Sequence, residues 1–133
     1  MATLAPGLKG SAELLVGEEH TAPSIGSGRV RVLATPVMIN LMEAAALDAA
    51  EAALAEGHQS LGTHLDVSHV AATPVGMRVT ATAEVVAVDG NRVSFRVEAR
   101  DEADLIGEGT HARVVVDVAR FDARVARKGA GKA

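Results

Sequence analysis

The sequence predicts an α+β fold in which one long central helix is wrapped by an antiparallel sheet of about five strands. Three observations predict it. A single Met-, Leu- and Ala-rich stretch with no interior Gly runs from Pro36 to Glu56. Most of the chain after it alternates apolar and polar residues at the period of a strand. Turn residues, Asp89-Gly90-Asn91 foremost, separate those alternating runs. One helix cannot cover both faces of such a sheet. The economical arrangement curls the sheet around the helix and leaves its outer face to solvent or to assembly.

In chain order, residues 1–10 read as a ragged start and Ser11 to His20 as a first strand. Thr21 to Gly28 is rich in Pro, Ser and Gly and reads as a loop. Arg29 to Ala34 alternates Arg and Val, as a short strand or an extended lead-in does. Thr35-Pro36 then marks a helix start, because a Thr hydroxyl can cap and Pro suits the first helical position. Gly57 supplies the stop, and Asp48, Glu51 and Glu56 mark the more exposed side.

Ser60 to Val70 is the next expected strand, and Ala71 to Gly76 a turn or crossing. In Met77 to Val88 the residues Met77, Val79, Ala81, Ala83 and Val85 share a face. After the hairpin turn, Arg92 to Arg100 directs Val93, Phe95, Val97 and Ala99 inward. Asp101 to Asp104 turns the chain into a last strand, Leu105 to Ala119. The tail from Arg124 onward is Ala, Gly, Arg and Lys, and residues 126–133 are expected to be flexible.

Composition narrows the function classes. A chain of 133 residues fits a single domain, 1–133. With no Cys there is neither a disulfide framework nor a thiolate zinc site. A net charge of −4, 2 Phe, and no Trp or Tyr give little to attract or stack nucleic acid. The start MATLAPGLKG lacks the apolar core of a secretory signal, and no apolar run reaches membrane-spanning length. The expectation is a cytoplasmic protein with no nucleic-acid or membrane partner.

Several residues stand out against that background. Glu43 lies off the helix's polar side, with Ile39, Asn40, Ala46 and Leu47 at spacings of three and four. A carboxylate there is costly unless paired or functional, and desolvation would raise its pKa and suit it to base or nucleophile work. Thr35 on its own reads first as a cap, a role compatible with reaching a ligand. Glu43 follows it by eight residues, roughly 12 Å along the axis, a separation that can flank a bound acyl group.

His69, in Ser68-His69-Val70-Ala71-Ala72, has the most apolar setting of the 5 His. On bare sequence it reads first as a satisfied core or edge histidine. No pair of histidines has the spacing of a helical metal site, so no metal is expected. Gly62 permits close backbone approach, and its amide is placed to serve as an oxyanion donor, although a turn or bulge explains a lone Gly as well. Gly107 and Gly109 leave one stripe of the last strand bare, and Arg113 continues its parity.

Four segments together resemble the fluoroacetyl-CoA thioesterase family, a branch of the hotdog superfamily. They are Thr35 to Glu43, Ser60 to Thr63, Val67 to Gly76 and Ile106 to Arg113, in order and with matching spacings. The resemblance implies a hotdog fold, a homodimer or higher assembly with sites near the subunit interface, and hydrolysis of an acyl-CoA thioester without metal or redox cofactor. Coenzyme A would enter only as part of the substrate. The resemblance also implies a catalytic set at Thr35, Glu43 and His69, a backbone amide at the substrate carbonyl from Gly62, and a substrate-facing Arg113.

One departure bears on specificity. The fluoroacetyl-specific enzymes carry a Phe-containing lid before the catalytic Thr, and Ser24 to Ala34 has no Phe. A different acyl group is therefore expected. Two other readings remain at this level, an enoyl-thioester hydratase or dehydratase, which the same fold hosts, and a non-catalytic acyl-CoA binder.

Overall fold

The computed structural model describes residues 3–131. Its elements are β1 (Lys9–Leu15), α1 (Ala22–Ile25), α2 (Thr35–Ala50), β2 (His58–His69), β3 (Arg78–Asp89), β4 (Arg92–Arg100), β5 (Leu105–Asp117) and α3 (Val118–Ala130). Single turns of 3-10 helix lie at Glu18–His20 and Glu51–Ala53. The five strands form one sheet in the order β1-β3-β4-β5-β2, with every pairing antiparallel. The sheet curls around α2, as the alternation in the sequence requires.

The inward residues of β3 and β4 are those the period selects. Val79, Ala81, Ala83, Val85, Val93, Phe95, Val97 and Ala99 are all buried. They meet Met38, Leu41, Met42, Ala45, Ala46, Ala49 and Ala50 of α2 in a single core. The Ala residues contribute little area each, so their value lies in letting helix and sheet approach closely. At Gly10 of β1 a methyl group would lie 2.5 Å from the Ala45 carbonyl oxygen and 2.7 Å from the Asp48 carbonyl carbon. Next to it the Ser11 amide donates to Asp48 Oδ2 at 2.9 Å. Between β3 and β4, Asp89 pairs with Arg92 across a two-residue turn whose Gly90 has φ 61°. A positive φ at that position is where Gly has no steric penalty.

Five features differ from the sequence expectation. β1 begins at Lys9, inside the expected ragged start, and ends at Leu15 rather than His20. Arg29 to Ala34 forms no strand and contributes only the bridge Thr21↔Leu33. The loop before it contains the short α1, closed by Gly26 at φ 90°. α2 stops at Ala50, six residues early, where Glu51 turns its carboxylate onto the Ser60 amide and hydroxyl at 3.1 and 3.2 Å. Finally, most of the tail expected to fray is helical. Asp117 caps α3 by accepting from the Arg120 amide at 3.1 Å, and Ala and Arg are good helix formers. α3 nonetheless buries no residue. Residues 1–2 and 132–133 of the segments expected to be flexible lie outside the described residues.

Among the described residues, no helix is long and apolar enough to cross a membrane.

Candidate active site

β2 is one of the two edge strands of the sheet and carries Ser60, Gly62 and His69. Its register on β5 shifts between Gly62 and His64, so Thr63 is an extra, bulged residue. The bulge matters because Gly62 and His69 are seven residues apart, an odd number that strict alternation sends to opposite faces. With Thr63 inserted, Gly62 pairs with Arg113 and His69 pairs with Gly107, six residues apart on β5. Gly62 and His69 therefore share the face turned to the helix.

Two polar centres form along that face. At the N-terminal end of α2, Thr35 Oγ1 lies 2.7 Å from His69 Nδ1. Ala34, not Thr35, is the residue preceding the first helical turn, and no side chain caps it. Thr35 is the first helical residue, and its hydroxyl meets the imidazole instead of a backbone amide. The other ring nitrogen of His69, Nε2, is buried with no hydrogen-bond partner. Burial pushes the His69 pKa down from 6.5, opposed in part by the Ala71 backbone. This pair borders a cleft of about 280 Å³ whose other wall includes Ala22, Ser27, Val32 and Leu33.

The second centre lies two turns further along α2. Glu43 Oε2 accepts from Arg113 Nη1 at 3.2 Å. The carboxylate that the sequence sets among apolar neighbours is ion-paired, and its side chain is 35% exposed against 6% for Arg113. Gly62 lies directly beside it, and a methyl group there would come within 2.7 Å of Glu43 Oε2 and 3.2 Å of the His111 ring. Bare backbone at Gly62 is thus what leaves room for the carboxylate. Arg113 also donates from Nε to Ser60 Oγ at 2.8 Å and from Nη2 to Ser60 O at 3.0 Å. Its Nη1 lies 3.1 Å from His111 Nε2, and His111 Nδ1 lies 2.8 Å from the His64 carbonyl oxygen.

All five residues singled out in the sequence therefore face the same side of the sheet or the adjoining helix, but as two groups. Thr35 meets His69, and Glu43 meets Gly62 and Arg113. In one subunit the groups are separated by roughly 12 Å along α2. Sequence reasoning missed Ser60, Glu51 and His111. Glu51 was assigned to the exposed side, yet it is partly buried against Ser60, with Oε2 buried and unpartnered. The signal that points to His111 is its parity with Arg113 on β5.

Comparison with known proteins sharpens the picture. Residues 16–119 match the model of the fluoroacetyl-CoA-specific thioesterase family. The chain belongs to that family. The fluoroacetyl-CoA thioesterase of Streptantibioticus cattleyicolor is 48% identical over 97 residues, 73% of this chain and 70% of that protein. A solved structure of a fluoroacetyl-CoA thioesterase is 38% identical with a TM-score of 0.89, covering 96% of this chain and 98% of its own. A variant of such an enzyme in complex with fluoroacetate and CoA is 38% identical, with a TM-score of 0.83 over 89% of this chain and 99% of its own. The fold is thus the hotdog fold, and the family is one of enzymes that hydrolyse thioesters.

Proposed function

We propose that this protein hydrolyses an acyl-CoA thioester to the free acid and CoA, using Thr35, Glu43 and His69. The observation that carries the reading is the pair of polar centres on one face, Thr35–His69 at 2.7 Å and Glu43 against Gly62 and Arg113. Both flank the same edge strand, and family membership supplies the reaction class.

In this reading, His69 and Thr35 orient the thioester and the water, and the Gly62 amide donates to the carbonyl oxygen as it gains negative charge. Glu43 either takes a proton from the attacking water or attacks the carbonyl carbon itself to give a mixed anhydride. In both routes the C–S bond breaks, CoA leaves as thiolate and is protonated, and one water is consumed. The reaction is redox-neutral, and the reading assigns it to side chains and backbone alone.

The two centres are joined in this proposal by dimerisation. β2 leaves one edge unpaired in the sheet, and Leu61 and Leu65 on it are 39% and 38% exposed. Antiparallel pairing of two such edges brings the Gly62 end of one chain beside the His69 end of the other. An active site built from Glu43 of one chain and His69 of its partner would then bridge the 12 Å gap.

The acyl group is proposed to be other than fluoroacetate. The segment before Thr35 lends the cleft aliphatic walls, and the two Phe of the chain lie elsewhere, Phe95 in the core and Phe121 on α3.

Thioester turnover across a panel of acyl-CoA substrates tests the reading. Glu43→Ala and His69→Ala are each expected to lose roughly a hundredfold or more in kcat while remaining folded. Mixing the two inactive variants is expected to restore about a quarter of the sites by random exchange into heterodimers. Parent-like turnover in both variants, or water addition to enoyl-CoA without thioester cleavage, would refute the assignment. Label from heavy-oxygen water appearing in Glu43 after a single turnover would select the anhydride route.

A further inference from the structure

We propose that His111, together with Ser60, is a positioning residue for this reaction, holding the Arg113 guanidinium in the orientation that keeps the Glu43 carboxylate beside Gly62. The inference rests on the reading of Glu43 given above and adds residues to it.

The argument follows from which atoms can donate. The His64 carbonyl oxygen only accepts, so His111 Nδ1, 2.8 Å away, carries a proton. Arg113 only donates, so His111 Nε2, 3.1 Å from Nη1, presents a lone pair. The ring is therefore neutral and in a single tautomer. Phe95 stacks on it with centroids 5.9 Å apart and 28° between planes, which fixes its tilt. His111 is 1% exposed and Arg113 5%.

Ser60 fixes the other edge of the guanidinium. Its hydroxyl donates to Glu51 Oε1 at 3.2 Å and so accepts from Arg113 Nε at 2.8 Å. Its carbonyl accepts from Nη2 at 3.0 Å. Of the two hydrogens on Nη1, one goes to His111 and the other to Glu43 Oε2 at 3.2 Å. A protonated His111 would turn an N–H toward Nη1, setting two donors and two positive charges face to face. The groups that face the ring are Arg113 on β5, Glu43 on α2 and His64 on β2. Burial, joined by the charge of Arg113, holds the His111 pKa below 6.5 against the His64 carbonyl and Glu43, in keeping with a neutral ring.

Two amide replacements separate positioning from mere packing. In His111→Gln the terminal amide reaches the place of Nε2 and can still accept from Arg113. In His111→Asn the amide reaches only the place of Nδ1, and the acceptor is lost. His111→Asn is expected to lower kcat about tenfold with KM changed by less than about threefold, and His111→Gln to recover most of that loss. Nitrogen NMR of the parent protein with labelled histidine is expected to show His111 neutral and protonated on Nδ1 at pH 7.

Equal loss in both variants, or a ring protonated on Nε2, overturns the proposal. An inactive Glu43→Gln beside a fully active His111→Asn overturns it alone. Parent-like turnover in Glu43→Gln would remove the reading of Glu43 and the proposal with it.

Discussion

The two flanks of α2 are built to different rules. Toward β1 and β3 the helix presents Ala45, Ala49 and Ala50, and the sheet answers with Gly10, Ala81 and Ala83. The residues are small, and the gap closes until a single methyl at Gly10 has no place, with Asp48 accepting from the Ser11 amide at its margin. Toward β2 the helix presents Glu43, and Glu51 follows just past its end at Ala50. Their carboxylates are held by one ion pair and by hydrogen bonds through Arg113 and Ser60. One flank is closed by small residues, and the other is held by polar contacts. The proposed site lies on the second flank.

Breaking the tight flank gives the largest expected effect. Gly10→Ala drives a methyl into the backbone of α2 and is expected to cost about 3 kcal/mol of unfolding free energy. Denaturant unfolding measures it, with turnover per folded molecule expected to stay at the parent level. A loss below about 0.5 kcal/mol would show that the two flanks do not differ in this way.

The same exchange on the loose flank sharpens the contrast. In Gly62→Ala the methyl meets the Glu43 carboxylate, the movable end of a side chain, 2.7 Å away. Stability is expected to fall by less than about 1 kcal/mol, because the carboxylate can swing aside. Activity is expected to fall about tenfold in kcat/KM, equivalent to about 1.4 kcal/mol, because that swing displaces the proposed base. Parent-like kinetics would separate Gly62 from the reaction.

The smallest effect is one of pH. His69 and His111 both have pKa values held below 6.5 in the folded state, chiefly by burial. The unfolded chain takes up these protons first as pH falls. Stability from this source is therefore complete above about 6.5 and declines below it, since the unfolded state then binds more protons. Unfolding midpoints between pH 8 and 5 are expected to decline toward acid, and His111→Gln to flatten the decline. A midpoint that rises on acidification would contradict the sign.

Much of the fold was legible because burial imposes a period. The alternation in Met77 to Arg100 gave the inward residues of β3 and β4 one by one, and the Gly90 turn followed from residue type. Local signals misled where side chains had better partners elsewhere. Thr35 resembles a cap, yet its hydroxyl goes to His69. Glu51 resembles a surface residue, yet Ser60 draws it in.

By itself, the sequence determined the central helix and the wrapped antiparallel sheet, which follow from periodicity and residue type, properties of neighbouring positions along the chain. The five site residues were picked out by the resemblance of four segments to a known family. Only the tertiary structure decided which of the five meet. The bulge at Thr63 turned Gly62 and His69 to one face, and the Arg113 network gave Glu43 its ion pair. Both depend on contacts between residues 38 to 70 positions apart, and such contacts leave no period in the sequence to read.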